Sequence, residues 1–315
     1  MIPNHTYSLL ASFLLLSLHL PAQETTLRYQ LQPGQTYTLA LEIHQNTHSE
    51  SAGSDEINLY SRMKLDFVVD SFDRQENIYM SAKYRDLLLS MLAPSLEIDI
   101  NSENKKNRML TRMLDSLQHC QFHLVMNPAG ELKSLQEITP FIQAFAAGHA
   151  ADTSQRGVIV NTLDEVYGTN AFESLFSLFV SVYPVVQPIM NWTRDFTYYF
   201  NTKPVQMVNR YHLTKMTREV VIIQGLGMLD SKQDFHEKTS QGEVSSTVSG
   251  SQTYDFQMDV ESGWLKQCVS RQRLVIETTI IKDPYLPSGL KIPSYTETLF
   301  EVKGSPAGQK PDSHD

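Results

Sequence analysis

Alternation of apolar and polar residues at a period of two is the feature that most limits what this chain can become. Tyr37, Leu39, Leu41 and Ile43 recur at every second position, and Met63, Leu65, Phe67 and Val69 repeat the pattern further on. Successive side chains of a strand point to opposite faces, so these runs are expected to be strands with one face buried. Polar turn material from Ser71 to Asn77 leads into another strand, Ile78 to Leu89, and an opening strand, Leu27 to Leu31, stops at Pro33-Gly34. Intervals this short cannot house a crossover helix, so the pattern is an antiparallel meander.

Between Asn101 and Gln118 the period changes, and Leu110, Met113, Leu114 and Leu117 share a helical face. A strand then carries Cys120, Phe122, Leu124 and Met126 on one side and turns at Asn127-Pro128-Ala129-Gly130. Two helices are predicted next. Thr139-Pro140 reads as an N-cap and first-turn proline. Asn170 reads as the cap of the second helix, with Glu173 three residues on, and Phe172, Leu175, Phe176, Phe179, Val180 and Tyr183 form an apolar stripe that ends at Pro184. From Trp192 onward strands return, over Asp195 to Phe200, Val205 to Lys215, Glu219 to Leu229, Thr253 to Val260, Leu265 to Ile281 and Tyr295 to Lys303. Ser231 to Gly250 is polar and rich in Ser and Thr, and is read as a loop.

The predicted fold is therefore a β-rich α+β protein: two curved antiparallel β-meanders, possible half-barrels, with connecting helices packed on or between them. The divisions are a first meander with one inserted helix (23–138), a helical connection (139–184), a second meander (185–303) and a disordered tail (304–315). Two hairpins look alike. Phe122 to Lys133 resembles Tyr254 to Lys266, each an alternating strand, a turn closed by a glycine (Gly130, Gly263) and a strand beginning Leu-Lys, with one extra turn residue in the second. Shared hairpin style explains the likeness as well as a true internal repeat does.

Residues 1–22 contain no Lys, Arg, Asp or Glu, and Leu9 to Leu20 is an apolar run suited to the core of a signal peptide and too short to span a bilayer. Cleavage between Ala22 and Gln23 would export the chain to the periplasm or the cell exterior. No later run is apolar for about 18 residues, so no transmembrane anchor is expected. Cys120 and Cys268 are the two cysteines, and in an oxidising compartment they either form one disulfide or sit apart as buried thiols. With 26 basic against 35 acidic side chains the chain has a net charge of −9, which disfavours nucleic acid as a partner.

The ordered set Leu27 to Tyr37 (LRYQLQPGQTY), the Met63 to Leu89 strand pair, Asn127-Pro-Ala-Gly-Glu-Leu132, the Phe172 to Pro184 helix, Trp192 and the Asp259 to Leu265 turn resembles a family of exported Bacteroidota proteins known only as a domain of unknown function. The chain departs from that pattern at Ile189-Met190-Asn191, where relatives tend to carry a Gly-Asp-Ser type turn. The resemblance implies an exported architecture and no reaction. In hairpin style alone the chain is also similar to the half-barrels of lipoprotein carriers, an analogy at the level of fold.

Chemistry-bearing patterns are sparse. His44 and His48, like His119 and His123, are four apart, but on strands that separation is roughly 13 Å and two rings cannot share an ion. Gly225-Leu226-Gly227 lies in an apolar strand without the rest of a dinucleotide fingerprint and reads as a bulge or turn. No Gly-x-Ser-x-Gly elbow is present. These readings lead to no catalytic residue, no metal and no cofactor. The function expected is an exported, non-catalytic envelope protein that binds a hydrophobic or lipid-like molecule, with Met63, Phe67, Met126, Phe172, Phe176, Phe179, Trp192 and Met258 as candidate apolar liners. The same residues would serve a solid core in a module that binds an envelope protein partner, and an envelope hydrolase is the third reading.

Overall fold

A computed structural model of the protein describes residues 27–50, 56–93, 98–101, 108–136, 138–149, 164, 166–186, 190–200, 203–238 and 242–305. The signal-peptide segment, Ile189 and residues 306–315 of the tail lie outside them. The strands are β1 (Thr36–Ser49), β2 (Glu56–Phe72), β3 (Ile78–Ala93), β4 (Ile98–Asn101), β5 (Gln121–Met126), β6 (Leu132–Gln136), β7 (Asn191–Phe200), β8 (Lys203–Met216), β9 (Val220–Asp230), β10 (Phe235–Lys238), β11 (Glu243–Asp259), β12 (Leu265–Lys282) and β13 (Lys291–Ser305). The helices are α1 (Arg108–Leu117), α2 (Ile138–His149) and α3 (Thr169–Phe179).

All thirteen strands belong to one antiparallel sheet, in the order β6-β5-β3-β2-β1-β13-β12-β11-β9-β8-β7, with β4 on β3 and β10 on β11. The two predicted meanders are thus joined where β1 pairs with β13, in unbroken register from Thr38↔Ser305 to Ser49↔Ser294. A flat sheet with that path would place its edges roughly 48 Å apart. Yet the single helix α3 packs against both β6 and β7, the two ends of the path. The sheet must therefore curl around the helix, giving an open barrel whose gap α3 fills and whose two edges the helix covers.

The alternation fixes which face turns inward. Tyr37, Leu39 and Leu41 on β1, Met63, Leu65, Phe67 and Val69 on β2, and Cys120, Phe122, Leu124 and Met126 at β5 are all buried. Phe67, Phe172, Phe176, Trp264 and Tyr29 form the aromatic floor of this interior, with ring centroids 5.6–6.5 Å apart for Phe67 against Phe172, Phe176 and Trp264.

Four segments differ from the sequence reading. Leu27 to Leu31 pairs with no strand; Tyr29 and Gln30 donate their amides to Pro128 and Ser262 carbonyls, so the segment bridges two turns. Ser231 to Gly250 contains β10 and the first half of β11, paired as a hairpin in which Ser231, Ser245 and Val248 are buried. Gly304 and Ser305, assigned to the tail, complete β13. Helix α3 is capped by the extended Gly168 and not by Asn170, with no side-chain cap bond, and the Phe172, Leu175, Phe176, Phe179 stripe carries its stability through packing.

The two similar hairpins have similar turns. Asn127 Oδ1 accepts the Ala129 and Glu131 amides (3.1 and 2.8 Å), and Asp259 Oδ2 accepts the Ser262 amide and hydroxyl (2.9 and 2.8 Å). Gly130 and Gly263 close the two turns at φ of 83° and 69°. Both turns are tied to the segment after α3: Ser181 Oγ donates to Gly130 O at 2.7 Å, and Tyr183 OH donates to Gly263 O at 2.8 Å. Carbonyls of that segment accept Tyr29 OH (Val180), Trp192 Nε1 (Val182) and Arg194 (Tyr183).

The second turn has a pH consequence. Burial raises the Asp259 carboxyl, but the Ser262 amide and hydroxyl and the Lys266 ammonium at 3.1 Å outweigh it and hold the group below the usual carboxylate range. A lowered folded-state pKa contributes stability that is present above the unfolded value and lost as pH falls through the folded one. Asp259→Asn is therefore expected to lower Tm at pH 7, with the difference from wild type shrinking below about pH 4. Parallel Tm curves for the two proteins down to pH 2 would contradict this assignment.

Candidate functional site

Above the aromatic floor, the interior is not filled. Between α3 and the inner faces of β1, β2, β3, β7, β12 and β13 lies a cavity of about 420 Å³, within the range that holds one small ligand. Helix α3 contributes Ala171, Ser174, Leu175 and Leu178 to its wall, and Val166 precedes them. The sheet supplies Ile43, Leu59, Met63, Leu89, Met91, Leu274 and Phe300, while the edge strand β7 adds Tyr198, Tyr199 and Phe200. Ile43, Leu59, Met91, Leu175 and Phe200 are only half-buried, so the cavity reaches solvent on their side.

These side chains converge because strand pairing puts them in register. Ile43 lies opposite Ser61 on one side and Phe300 on the other, and Ser61 lies opposite Leu89. The helix is locked beside them: Ser174 Oγ donates to Asn170 O at 2.9 Å and accepts the Tyr199 amide at 2.9 Å. That bond uses a backbone donor of the otherwise open β7 edge.

No Asp, Glu, Lys, Arg or His lines this cavity; its polar members are Gln45, Ser61, Ser174, Tyr198, Tyr199 and Gln272. Burial pushes the Tyr198 phenol up to about 12, opposed by a hydrogen bond with Gln272, so the ring is neutral near pH 7. Gln272 belongs to a wider buried polar layer on the inner face. Its Nε2 donates to Gln252 Oε1 (2.8 Å), Gln252 Nε2 donates to Ser270 Oγ (2.7 Å), and Asn209 Nδ2 donates to the Tyr211 and Tyr254 hydroxyls (2.7 and 3.2 Å). Asn209, Gln252 and Ser270 are each at most 1% exposed. Sequence reasoning missed this layer, although its signal was present: Asn209 is in phase with Met207 and Tyr211, Gln252 with Tyr254 and Phe256, and Ser270 and Gln272 with Cys268 and Leu274.

Of the eight predicted liners, Met63 borders the cavity. The other seven sit in the solid core. Phe67, Phe172 and Phe176 build the aromatic floor, Phe179 packs on Phe300 at 5.5 Å, and Trp192 packs on Tyr211 at 5.7 Å. Met126 and Met258 are fully buried in the same core. Cys120 and Cys268 do not form a bridge: both are buried, Cys120 just before β5 and Cys268 on β12, five places away in the sheet. Burial, with Asp255 nearby, holds the Cys268 thiol well above its usual range, so it is not poised for chemistry.

His44, His48, His119 and His123 are all exposed. Gly225 and Gly227 form no bulge. They keep continuous register in β9, and a Cβ there would run into the Tyr211 ring and the Asn209 amide, so the glycines make room for the buried polar layer. On the outer face, Glu42, His44 and Glu301 bring one ligand atom each within 4.8 Å of one another, all three exposed.

The architecture defines a class: an open antiparallel barrel, plugged by one helix, with an uncharged cavity beside it. The chain belongs to a family of unknown function (DUF6263), whose model matches residues 75–265. No curated protein matches it. Among solved structures it is similar to one titled "Lipid-protein interactions in lipovitellin", with 13% identity and a TM-score of 0.48 over 91% of this chain and 27% of that one. This chain thus spans about a quarter of the lipovitellin chain. The COG4313 outer membrane channel from Pseudomonas putida F1 aligns over 90% of this chain and 99% of its own, with 6% identity and a TM-score of 0.20. Neither likeness carries a functional argument. No described helix is long and apolar enough to cross a membrane.

Proposed function

We propose that this protein is an exported binding protein that takes one hydrophobic or lipid-like molecule into the cavity beside α3. The observation that carries this reading is the cavity itself: about 420 Å³, walled mainly by Leu, Ile, Met and Phe, bordered by half-buried apolar side chains and free of charged ones. A solid-core interaction module would fill that space, because interiors pack to near crystal density and voids are costly. Export rests on the Leu9 to Leu20 run.

One preparation tests both parts. Protein purified from its own cell envelope should have an intact mass that starts at Gln23, and gentle native ionisation should show a lipid-sized adduct lost on denaturation. A chain that retains residues 1–22 removes the export reading, and an adduct-free mass weighs against the ligand. The site is tested separately with Leu59→Trp and Leu175→Trp, two half-buried wall positions where an indole would occupy the cavity. Each should weaken uptake of the neutral fluorescent probe 1-N-phenylnaphthylamine about tenfold or more, with an unchanged circular dichroism spectrum. Wild-type uptake in both variants would move the binding site elsewhere.

A further inference from the structure

Ser61 breaks the apolar wall in a specific way. It is 1% exposed, stands between Ile43 and Leu89 on the inner face of β2, and borders the cavity. Its hydroxyl has no hydrogen-bond partner, nor does the buried hydroxyl of Tyr167, which follows the lining residue Val166. The two hydroxyls come near one another without reaching hydrogen-bond geometry. Buried polar groups are nearly always paired, so two orphaned hydroxyls together call for an explanation.

Two other polar side chains of the wall are engaged: Ser174 with Asn170 and the Tyr199 amide, Gln272 with Gln252. Among the described residues, the buried side-chain polar atoms without a partner are the Ser61 and Tyr167 hydroxyls. Building on the reading of this cavity as a ligand site, we propose that it selects an uncharged amphiphile, an apolar chain bearing a neutral hydroxyl, ester or amide group that pairs with the Ser61 hydroxyl at the cavity wall. A pure hydrocarbon would leave the Ser61 hydroxyl orphaned. A fatty-acid anion or an alkylammonium would bring a charge into a wall that holds no counter-charge, at a large desolvation cost.

Competition against 1-N-phenylnaphthylamine at pH 8, below micellar concentrations, tests the selectivity. In the full mature protein 1-dodecanol and methyl dodecanoate are expected to displace the probe at concentrations at least tenfold lower than dodecanoate or dodecyltrimethylammonium. Ser61→Ala should cost 1-dodecanol about fivefold in affinity and raise the melting temperature of the ligand-free protein, and an unchanged 1-dodecanol affinity in a folded variant would overturn the pairing with Ser61. Equal or better displacement by either ion overturns the selectivity while leaving the ligand site standing. Failure of the wild type to take up the probe or any of the four amphiphiles overturns the ligand site, and the selectivity with it. Should Ser61→Ala fold poorly, the wild-type ranking of the four amphiphiles decides alone.

Discussion

Gly130→Ala is expected to destabilise the protein by roughly 2–5 kcal/mol, while Gly34→Ala, at nearly the same backbone angle, costs only about 1 kcal/mol. Both glycines have positive φ, 83° and 76°, so both substitutions incur the left-handed penalty. What differs is the space around them. A Cβ on Gly34 meets nothing within 4 Å, whereas one on Gly130 runs into the Val180 carbonyl oxygen and comes within 2.7 Å of the Tyr29 ring. Neither neighbour can yield cheaply, because Val180 O accepts Tyr29 OH and the Gly130 carbonyl accepts Ser181 Oγ. The turn would have to leave the segment that closes the barrel. In thermal melts the Gly130 variant should lose roughly 5–15 °C and the Gly34 variant a few degrees at most. Equal losses would mean that the dihedral angle alone matters and that the turn does not bear on Val180.

Much of this architecture is legible in the sequence because period two is a local signal. The phase of Tyr37, Leu39 and Leu41, or of Phe122, Leu124 and Met126, names the buried face without any knowledge of the partner strand. Three things are not local. The β1–β13 pairing joins residues more than 240 positions apart, and alternation is the same whichever neighbour a strand acquires. Leu27 to Leu31 alternates like a strand, yet its amides go to two turns. The cavity depends on which apolar residues α3 fails to cover, so Phe172 and Phe176 are core while Leu175 and Leu178, on the same helix, border empty space. Ser61 is the intermediate case: its inward phase is plain from Met63 and Leu65, but its lack of a partner is a property of the assembled interior.

Trp264→Ala should be the most damaging single substitution of the second hairpin, at roughly 3–5 kcal/mol. The indole is 1% exposed and is held by three rings of the first half of the chain, Tyr29 at 5.8 Å, Tyr37 at 5.3 Å and Phe67 at 5.6 Å. Its Nε1 donates to Thr38 O at 3.0 Å, a β1 carbonyl. Trp264 therefore couples the second meander to the first from inside the barrel, as the β1–β13 ladder does along its wall. Trp264→Phe keeps most of the ring contact and loses the N–H bond, and should cost about 1–2 kcal/mol. The form of the melt matters as much as its midpoint. If both meanders share one interior, Trp264→Ala shifts a single cooperative transition by roughly 6–15 °C. Two separable halves would instead show two transitions, and the substitution would displace one and leave the other where it was.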